Sequence, residues 1–199
     1  MIIYGNNEME YLSSKDPVMK ELIQHFGHLD RGTTTNIYES LIYHIIGQML
    51  SNRASETITN RFISLVGSVT PDNVIRTDNM AIRKCGISNQ KIYNIKTLSK
   101  DVIDGKYNFD QLNNMTDDEI IQYLTQIKGV GRWTAEMITE FTLGRLNVFS
   151  YDDIALRNGI IKAHGYKTLS KLRFERLRNK YSPYCSVASL YYYSLNDEK

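Results

Sequence analysis

Apolar residues recur three and four positions apart along almost the whole chain, and no two-residue alternation is long enough to predict a strand. The pattern predicts an all-α protein. Ile37, Leu41, Ile42, Ile45, Ile46, Met49 and Leu50 form one helical face that ends near Ser51-Asn52, and Ile58, Phe62 and Leu65 form the next. After Gly67, "VTPDNVI" supplies a threonine cap with proline in the first helical position, and Gly86 closes a short helix holding Arg83, Lys84 and Cys85. Ile92, Ile95, Leu98 and Val102 mark another helix. "TDDE", Thr116 to Glu119, has the spacing of a capping box, in which hydroxyl and carboxylate satisfy orphan backbone donors; it predicts a helix running to about Ile127.

From Arg132 the positions Ala135, Ile138, Phe141 and Thr142 are helical again, with Gly144 as the C-terminal cap and residues 145–152 as a loop. Further helices are expected from about Asp153, from about Ser170 with Leu172 and Leu177 inward, and from Ser182-Pro183 as cap and first turn. His25 and His28 are placed on a solvated helix, and the four histidines have no metal-ligand spacing.

Composition narrows the class. With 199 residues, 42% hydrophobic and 23% charged, the chain can bury a core as one large domain or two small ones, which argues against disorder. Cys85 and Cys185 are a hundred residues apart without a CxxC, so no disulfide framework is implied and both are expected as reduced thiols. The opening "MIIYGNNEMEYL" lacks the basic start and long apolar stretch of a signal peptide, and no eighteen apolar residues run together; a cytoplasmic protein with no membrane partner is expected. The net charge of +2 announces nothing by itself, but between Arg157 and Lys180 eight Lys or Arg face one acid, Glu175. That run reads either as a solvated helix face or as a stripe facing phosphates.

One stretch carries more chemistry. In "QIKGVGRWTAEM", Gln126 to Met137, two glycines one residue apart are followed by the only tryptophan of the chain. Leu124, Ile127, Gly129, Val130, Gly131, Ala135 and Ile138 describe two helices joined by a very tight hairpin, which glycine permits without a Cβ penalty. Such a hairpin leaves N–H groups at the start of its second helix free to bind phosphate. Lys128 and Arg132 flank it, as a backbone-positioning contact requires. A turn made only for packing needs neither both glycines nor charges at its tip.

This pattern resembles the helix-hairpin-helix motif, and the likeness extends through Gly47-Gln48, Leu98 to Leu112, "GVGRWTAEM" at 129–137, "VFSYDDIALRNGI" at 148–160 and "YSPYCSVASLYYY" at 181–193. In order and spacing these resemble the alkylpurine-DNA glycosylases of the 3-methyladenine glycosylase II type, within the HhH-GPD superfamily, over roughly residues 37–195. The resemblance implies an all-α HhH-GPD glycosylase fold with two helical subdomains flanking a cleft, one of about 1–36 plus 146–199 and the other of about 37–145 with the hairpin at 124–138. It further implies a monomer that binds double-stranded DNA containing damaged bases and releases alkylated purines such as 3-methyladenine and 7-methylguanine. No cofactor or metal is implied, and whether a monovalent cation sits on the hairpin carbonyls stays open.

The site residues follow from the same resemblance. Lyase members carry a Schiff-base lysine directly after the hairpin; Trp133 stands there, so the superfamily's route to strand cleavage is not available and no lyase activity is expected. Neither the four-Cys iron–sulfur loop of other members nor the additional N-terminal domain of some is expected. Asp153 matches the catalytic aspartate whose carboxylate stabilises the oxocarbenium-like sugar; an N-cap role for Asp152-Asp153 is the competing reading, with Asp152 the weaker catalytic candidate. Trp133, Met137 and Tyr193 match positions lining the base pocket, where electron-rich rings stack on cationic bases, although Tyr193 in "LYYY" also reads as packing. Lys128, Gly129, Val130, Gly131, Arg132 and Thr134 match the DNA-backbone contacts. Met49, or alternatively Gln48, matches the wedge that fills the gap left by a flipped base, with core packing the other reading for Met49. Ser150 and Cys185 depart from the family's usual Pro and Arg, which bears on substrate range and DNA affinity. Two rivals remain: a non-catalytic module that recognises DNA structure, and a glycosylase for neutral damaged bases such as hypoxanthine or uracil. The latter needs hydrogen-bonding groups in the pocket to which the sequence does not point.

Overall fold

The computed structural model describes residues 2–30 and 36–198, and every regular element among them is helical. The chain divides into two compact units, Met1–Thr33 with Thr139–Lys199, and Thr34–Ile138. Helices α1 (Asn6–Lys15) and α2 (Pro17–Phe26) open the first unit. Asp16 separates them: its N–H donates to the Leu12 carbonyl, and its carboxylate caps α2 by accepting from the Val18 N–H at 3.0 Å. The second unit holds α3 (Ile37–Gly47), α4 (Asn52–Val66), α5 (Pro71–Arg76), α6 (Asn79–Lys84) and α7 (Asn89–Ile103). A 3-10 turn at Asp110–Asn114, α8 (Asp117–Thr125) and α9 (Arg132–Met137) follow. A π turn, Ile138–Thr142, then leads into α10 (Ile154–His164), α11 (Lys171–Tyr181) and α12 (Cys185–Asp197) of the first unit.

Side-chain caps set most of these starts. Ser51, Thr70, Asp78, Ser88, Thr116, Asp153 and Ser170 each accept from a backbone N–H of the first turn. The Thr116–Glu119 box closes in both directions, at 2.8 Å from the Thr116 N–H to Glu119 Oε2 and 3.3 Å from the Glu119 N–H to Thr116 Oγ1. In the second unit, Leu41, Ile42, Ile45 and Ile46 of α3 are buried as that helix packs on α4 and α7, together with Phe62, Ile95 and Leu98. Two lysines of α7 close neighbouring elements. Lys91 Nζ donates to the carbonyls of Ile46 and Gln48 at 2.7 and 2.6 Å, and Lys96 Nζ to those of Ile75 and Thr77 at 2.9 and 2.6 Å.

Helix α12 is the axis of the first unit and packs on α10, α2 and α11. Consecutive helical residues point about 100° apart, so Tyr191, Tyr192 and Tyr193 fan to three partners. Tyr191 Oη donates to the Gly27 carbonyl at 3.0 Å, Tyr192 Oη lies 2.6 Å from Tyr181 Oη, and Tyr193 Oη donates to Asp153. Gly159 is the contact point of α10: a Cβ there would lie 2.2 Å from the Tyr192 carbonyl oxygen, a backbone atom that cannot swing away. Gly159→Ala is therefore expected to destabilise the protein by about 1–3 kcal/mol, measured by chemical denaturation, despite alanine's better helix propensity.

Several expectations need correction. Helix α3 stops at Gly47 with Gln48 as its C-cap, so Met49 and Leu50 leave its apolar face; Met49 has φ 59° and is fully exposed, and Leu50 is exposed. Leu65, in the last turn of α4, and Leu172 are exposed as well. Phe174, Leu177 and Tyr181 define the buried face of α11, and Leu172, two residues before Phe174, falls on the other side. The Ser182 N–H donates to the Arg178 carbonyl and so closes α11, while α12 begins only at Cys185; Ser182-Pro183 is not its cap and first turn. The segment before Gly86 is two helices because Asp78 caps α6 separately. His28 lies beyond α2 with its ring stacked on Tyr4, 4.4 Å between centroids, and is not on a solvated helix.

Candidate active site

The two glycines of the hairpin between α8 and α9 do different things. Gly129 has φ 87°, and a Cβ there would collide with the side-chain amide of Asn94 on α7, so both backbone and space require glycine. Gly131 is the N-cap of α9 with φ −88°, and nothing lies within 4 Å of the position a Cβ would take. The fold does not demand a glycine at that point, which leaves open ground before the second helix. Gln48 Nε2 donates to the Gly129 carbonyl at 2.8 Å, tying the hairpin to the loop after α3, and Lys91 holds the same loop from the other side. Of the two wedge candidates, Gln48 is thus engaged within the unit, whereas Met49 is presented to solvent on a braced loop.

The flanking cations also have internal partners. Lys128 Nζ lies 3.1 Å from Tyr93 Oη and 4.3 Å from that ring's centre, and Arg132 Nε is 2.8 Å from Glu136 Oε1. The side chains of Val130 and Thr134 are buried, and the Val130 N–H donates to the Ile127 carbonyl at 3.0 Å, so of these two expected DNA contacts only Thr134 could offer a backbone N–H. The basic run from Arg157 to Lys180 is mostly exposed, and several of its side chains have partners within their own unit. Arg157 lies over the Tyr151 ring, Arg173 over Tyr166, Lys162 donates to the Leu195 and Glu198 carbonyls, and Lys180 pairs with Asp16.

Trp133 stands at the edge of a pocket of about 330 Å³ within the second unit. Tyr43, His44 and Gly47 of α3 line one side, with Leu50, Asn52 and Ser55 from the loop and the start of α4. Gly47 lets α4 approach, since a Cβ there would lie 2.6 Å from Ser55 Oγ. His44 meets Trp133 edge-on, with centroids 6.2 Å apart and planes at 79°. Met137 is buried and does not line this pocket. Sequence reasoning missed Tyr43 and His44, whose helical spacing marks them only as the flank of an apolar face.

Asp153 is buried in the first unit as the N-cap of α10. Its Oδ1 accepts from the Leu156 N–H at 2.8 Å and its Oδ2 from Tyr193 Oη at 3.2 Å. Asp153 therefore caps the helix, and each of its carboxylate oxygens accepts a hydrogen bond. Its charge also faces the positive end of an eleven-residue helix. Tyr193 is buried with its ring tilted on Phe141, 5.9 Å between centroids, and its hydroxyl faces the carboxylate. Asp152 is exposed, and Ser150 and Cys185 are fully buried. Cys185 Sγ donates to the Arg178 carbonyl at 3.2 Å, and burial pushes its thiol up to about 12, leaving it protonated and inert.

A family described as the HhH-GPD superfamily of base excision DNA repair proteins matches residues 42–183, a span that takes in His44, the hairpin and Asp153. The chain belongs to the HhH-GPD superfamily. Among similar HhH-GPD proteins, the DNA-3-methyladenine glycosylase 1 of Schizosaccharomyces pombe is 32% identical over 183 residues, covering 88% of this chain and 79% of that protein. A solved structure of the 3-methyladenine DNA glycosylase of that yeast, in complex with abasic DNA, superposes with a TM-score of 0.86 at 30% identity, covering 95% of this chain and 96% of the other. The DNA-3-methyladenine glycosidase of Bacillus halodurans gives a TM-score of 0.84 at 31% identity over 97% and 90%. No helix among the described residues is long and apolar enough to cross a membrane, and none of their His, Cys, Asp and Glu form a group suited to a metal ion.

Proposed function

We propose that this HhH-GPD protein is a monofunctional DNA glycosylase of the 3-methyladenine glycosylase II type, hydrolysing the N-glycosidic bond of alkylated purines in duplex DNA. The clamped carboxylate of Asp153 carries the reading, supported by the DNA-3-methyladenine glycosylases to which the chain is similar. A purine methylated on a ring nitrogen is cationic and leaves without strong acid catalysis. What the protein must supply is negative charge for the oxocarbenium-like sugar as the C1′–N bond breaks, until water adds at C1′. Asp153 supplies it, held by the Leu156 N–H and Tyr193 Oη.

Trp133, with its electron-rich indole at the edge of a pocket, stacks on the extruded cationic base. Met137, which is buried, acts through packing, and Tyr193 through Asp153. The hairpin backbone from Lys128 to Arg132, with the Thr134 N–H, grips the DNA backbone, and Met49 fills the gap in the stack. The chemical step uses no cofactor; a monovalent cation at the hairpin would share the Gly129 carbonyl with Gln48.

Because residue 133 offers no amine, the product is an abasic site on an intact strand. Incubated with duplexes containing 3-methyladenine or 7-methylguanine, the purified protein is expected to release free base, with strand breaks appearing only after alkali. No base release would overturn the reading, and strand breaks before alkali would overturn its monofunctional part.

A further inference from the structure

The pocket beside Trp133 has a polar side that a site built only to stack on cations does not need. His44 is part of it. The residue is largely buried on α3, with part of its ring open to the pocket, and one edge rests on the indole. Among the described residues no hydrogen bond engages either ring nitrogen. Desolvation holds the imidazole below the usual histidine range, so at neutral pH it carries no charge and offers one donor and one acceptor. The amide of Asn52 and the hydroxyl of Ser55 line the same cavity from α4, and with His44 they supply donors and acceptors around a space of about 330 Å³, room enough for a base.

We propose that His44 is a specificity-determining residue of this pocket, hydrogen-bonding the edge of the bound base and so admitting uncharged damaged purines beside the cationic ones. The proposal rests on the glycosylase reading above and extends it to how the base is selected. A cationic methylpurine gains attraction from the indole face that a neutral purine does not. A neutral base such as hypoxanthine, with a ring N–H and a carbonyl, therefore depends more on hydrogen bonds from the wall, and an apolar residue at 44 penalises it more. An uncharged imidazole is also the only form of histidine that can stand beside a cationic base without repelling it.

The test compares excision of hypoxanthine and 7-methylguanine from otherwise identical duplexes by the wild type, His44→Phe and His44→Gln. Phenylalanine keeps a ring against Trp133 and removes the hydrogen-bonding atoms; glutamine keeps a donor and an acceptor. His44→Phe is expected to lower kcat/KM about tenfold for hypoxanthine and by about threefold or less for 7-methylguanine, with His44→Gln recovering most of the hypoxanthine activity. Trp133 is the only tryptophan, so its emission reports directly whether the indole has moved in each variant. An active wild type that leaves hypoxanthine in place, a parallel fall for both bases, or identical behaviour of the two variants would each overturn the proposal. Absence of release from either duplex and from 3-methyladenine duplexes would instead overturn the glycosylase reading itself, and this inference with it.

Discussion

Asp153→Asn is expected to lower the single-turnover rate of 7-methylguanine release by about 10²–10³-fold while the protein stays folded. Asparagine is as good an N-cap as aspartate, so the Leu156 N–H keeps its acceptor and the start of α10 is retained. What disappears is the negative charge, and only a mechanism that develops positive charge on the sugar registers that loss so strongly. Tyr193→Phe tests the same carboxylate from its other oxygen. It keeps the charge and removes one donor at 3.2 Å, so a smaller fall of about tenfold is expected, appearing in the rate and not in DNA affinity. If Asp153 were only a cap, asparagine would be nearly neutral. A variant within tenfold of the wild type, with unchanged thermal stability, would leave the residue as structure and end its catalytic assignment. A module that only binds DNA predicts no product from any of these proteins.

Much of this site was legible because its parts are local in sequence. A glycine at φ 87° within a fixed pattern, a tryptophan after it and an aspartate before an apolar helical run are all short-range signals. What stayed hidden depends on contacts between distant residues. Nothing in "LYYY" distinguishes the tyrosine that reaches Asp153, forty positions away, from the two that reach Gly27 and Tyr181. Nothing around Lys91 announces that it braces the loop carrying Met49. His44 was invisible for a different reason: a polar residue flanking an apolar helical face is common, and only the approach of α9 turns that flank into the wall of a pocket. The same limit explains the basic run after Arg157, where composition counts charges and cannot see that Arg157, Arg173 and Lys180 each have a partner in their own unit.

Helix existence was read well where a cap and a period agree, as at Thr70, Thr116, Asp153 and Ser170. Errors came at ends. The apolar period of α3 continues through Met49 and Leu50, yet Gln48 is already extended at ψ 134°, and tertiary bonds from Gln48 and Lys91 override the pattern. After α9 the period continues as well, but the chain widens into a π turn at Ile138–Thr142, which no side-chain spacing signals.

Asp16→Ala is expected to cost about 2–4 kcal/mol of stability, a fall in Tm on the order of 10 °C, because one carboxylate serves three donors. Its side chain is 3% exposed; Oδ1 caps α2, and Oδ2 accepts from Lys180 Nζ at 2.8 Å and Tyr181 Oη at 2.7 Å. The order of donors behind it is determined. Tyr181 gives its single proton to the carboxylate, so Tyr192 donates to Tyr181, and His164 Nε2, 3.0 Å from Tyr192 Oη, donates in turn. Removing Asp16 leaves that chain without a terminal acceptor. Burial alone would raise the Asp16 pKa, but hydrogen bonds from Lys180, Tyr181 and the Val18 N–H outweigh it and hold the group below the usual carboxylate value. A carboxyl whose folded pKa is depressed contributes stability that is complete above the unfolded value near 4 and is lost as pH falls through the folded value below it. Asp16→Asn keeps the cap and removes the charge, so its deficit against the wild type is expected to be constant at neutral pH and to shrink as pH falls from about 5 toward 2. Denaturation midpoints of the two proteins measured across that range provide the check. A gap that persists undiminished at pH 2 would show that the deficit comes from the misfit of an amide among the Lys180 and Tyr181 donors, and that the charge of Asp16 adds nothing.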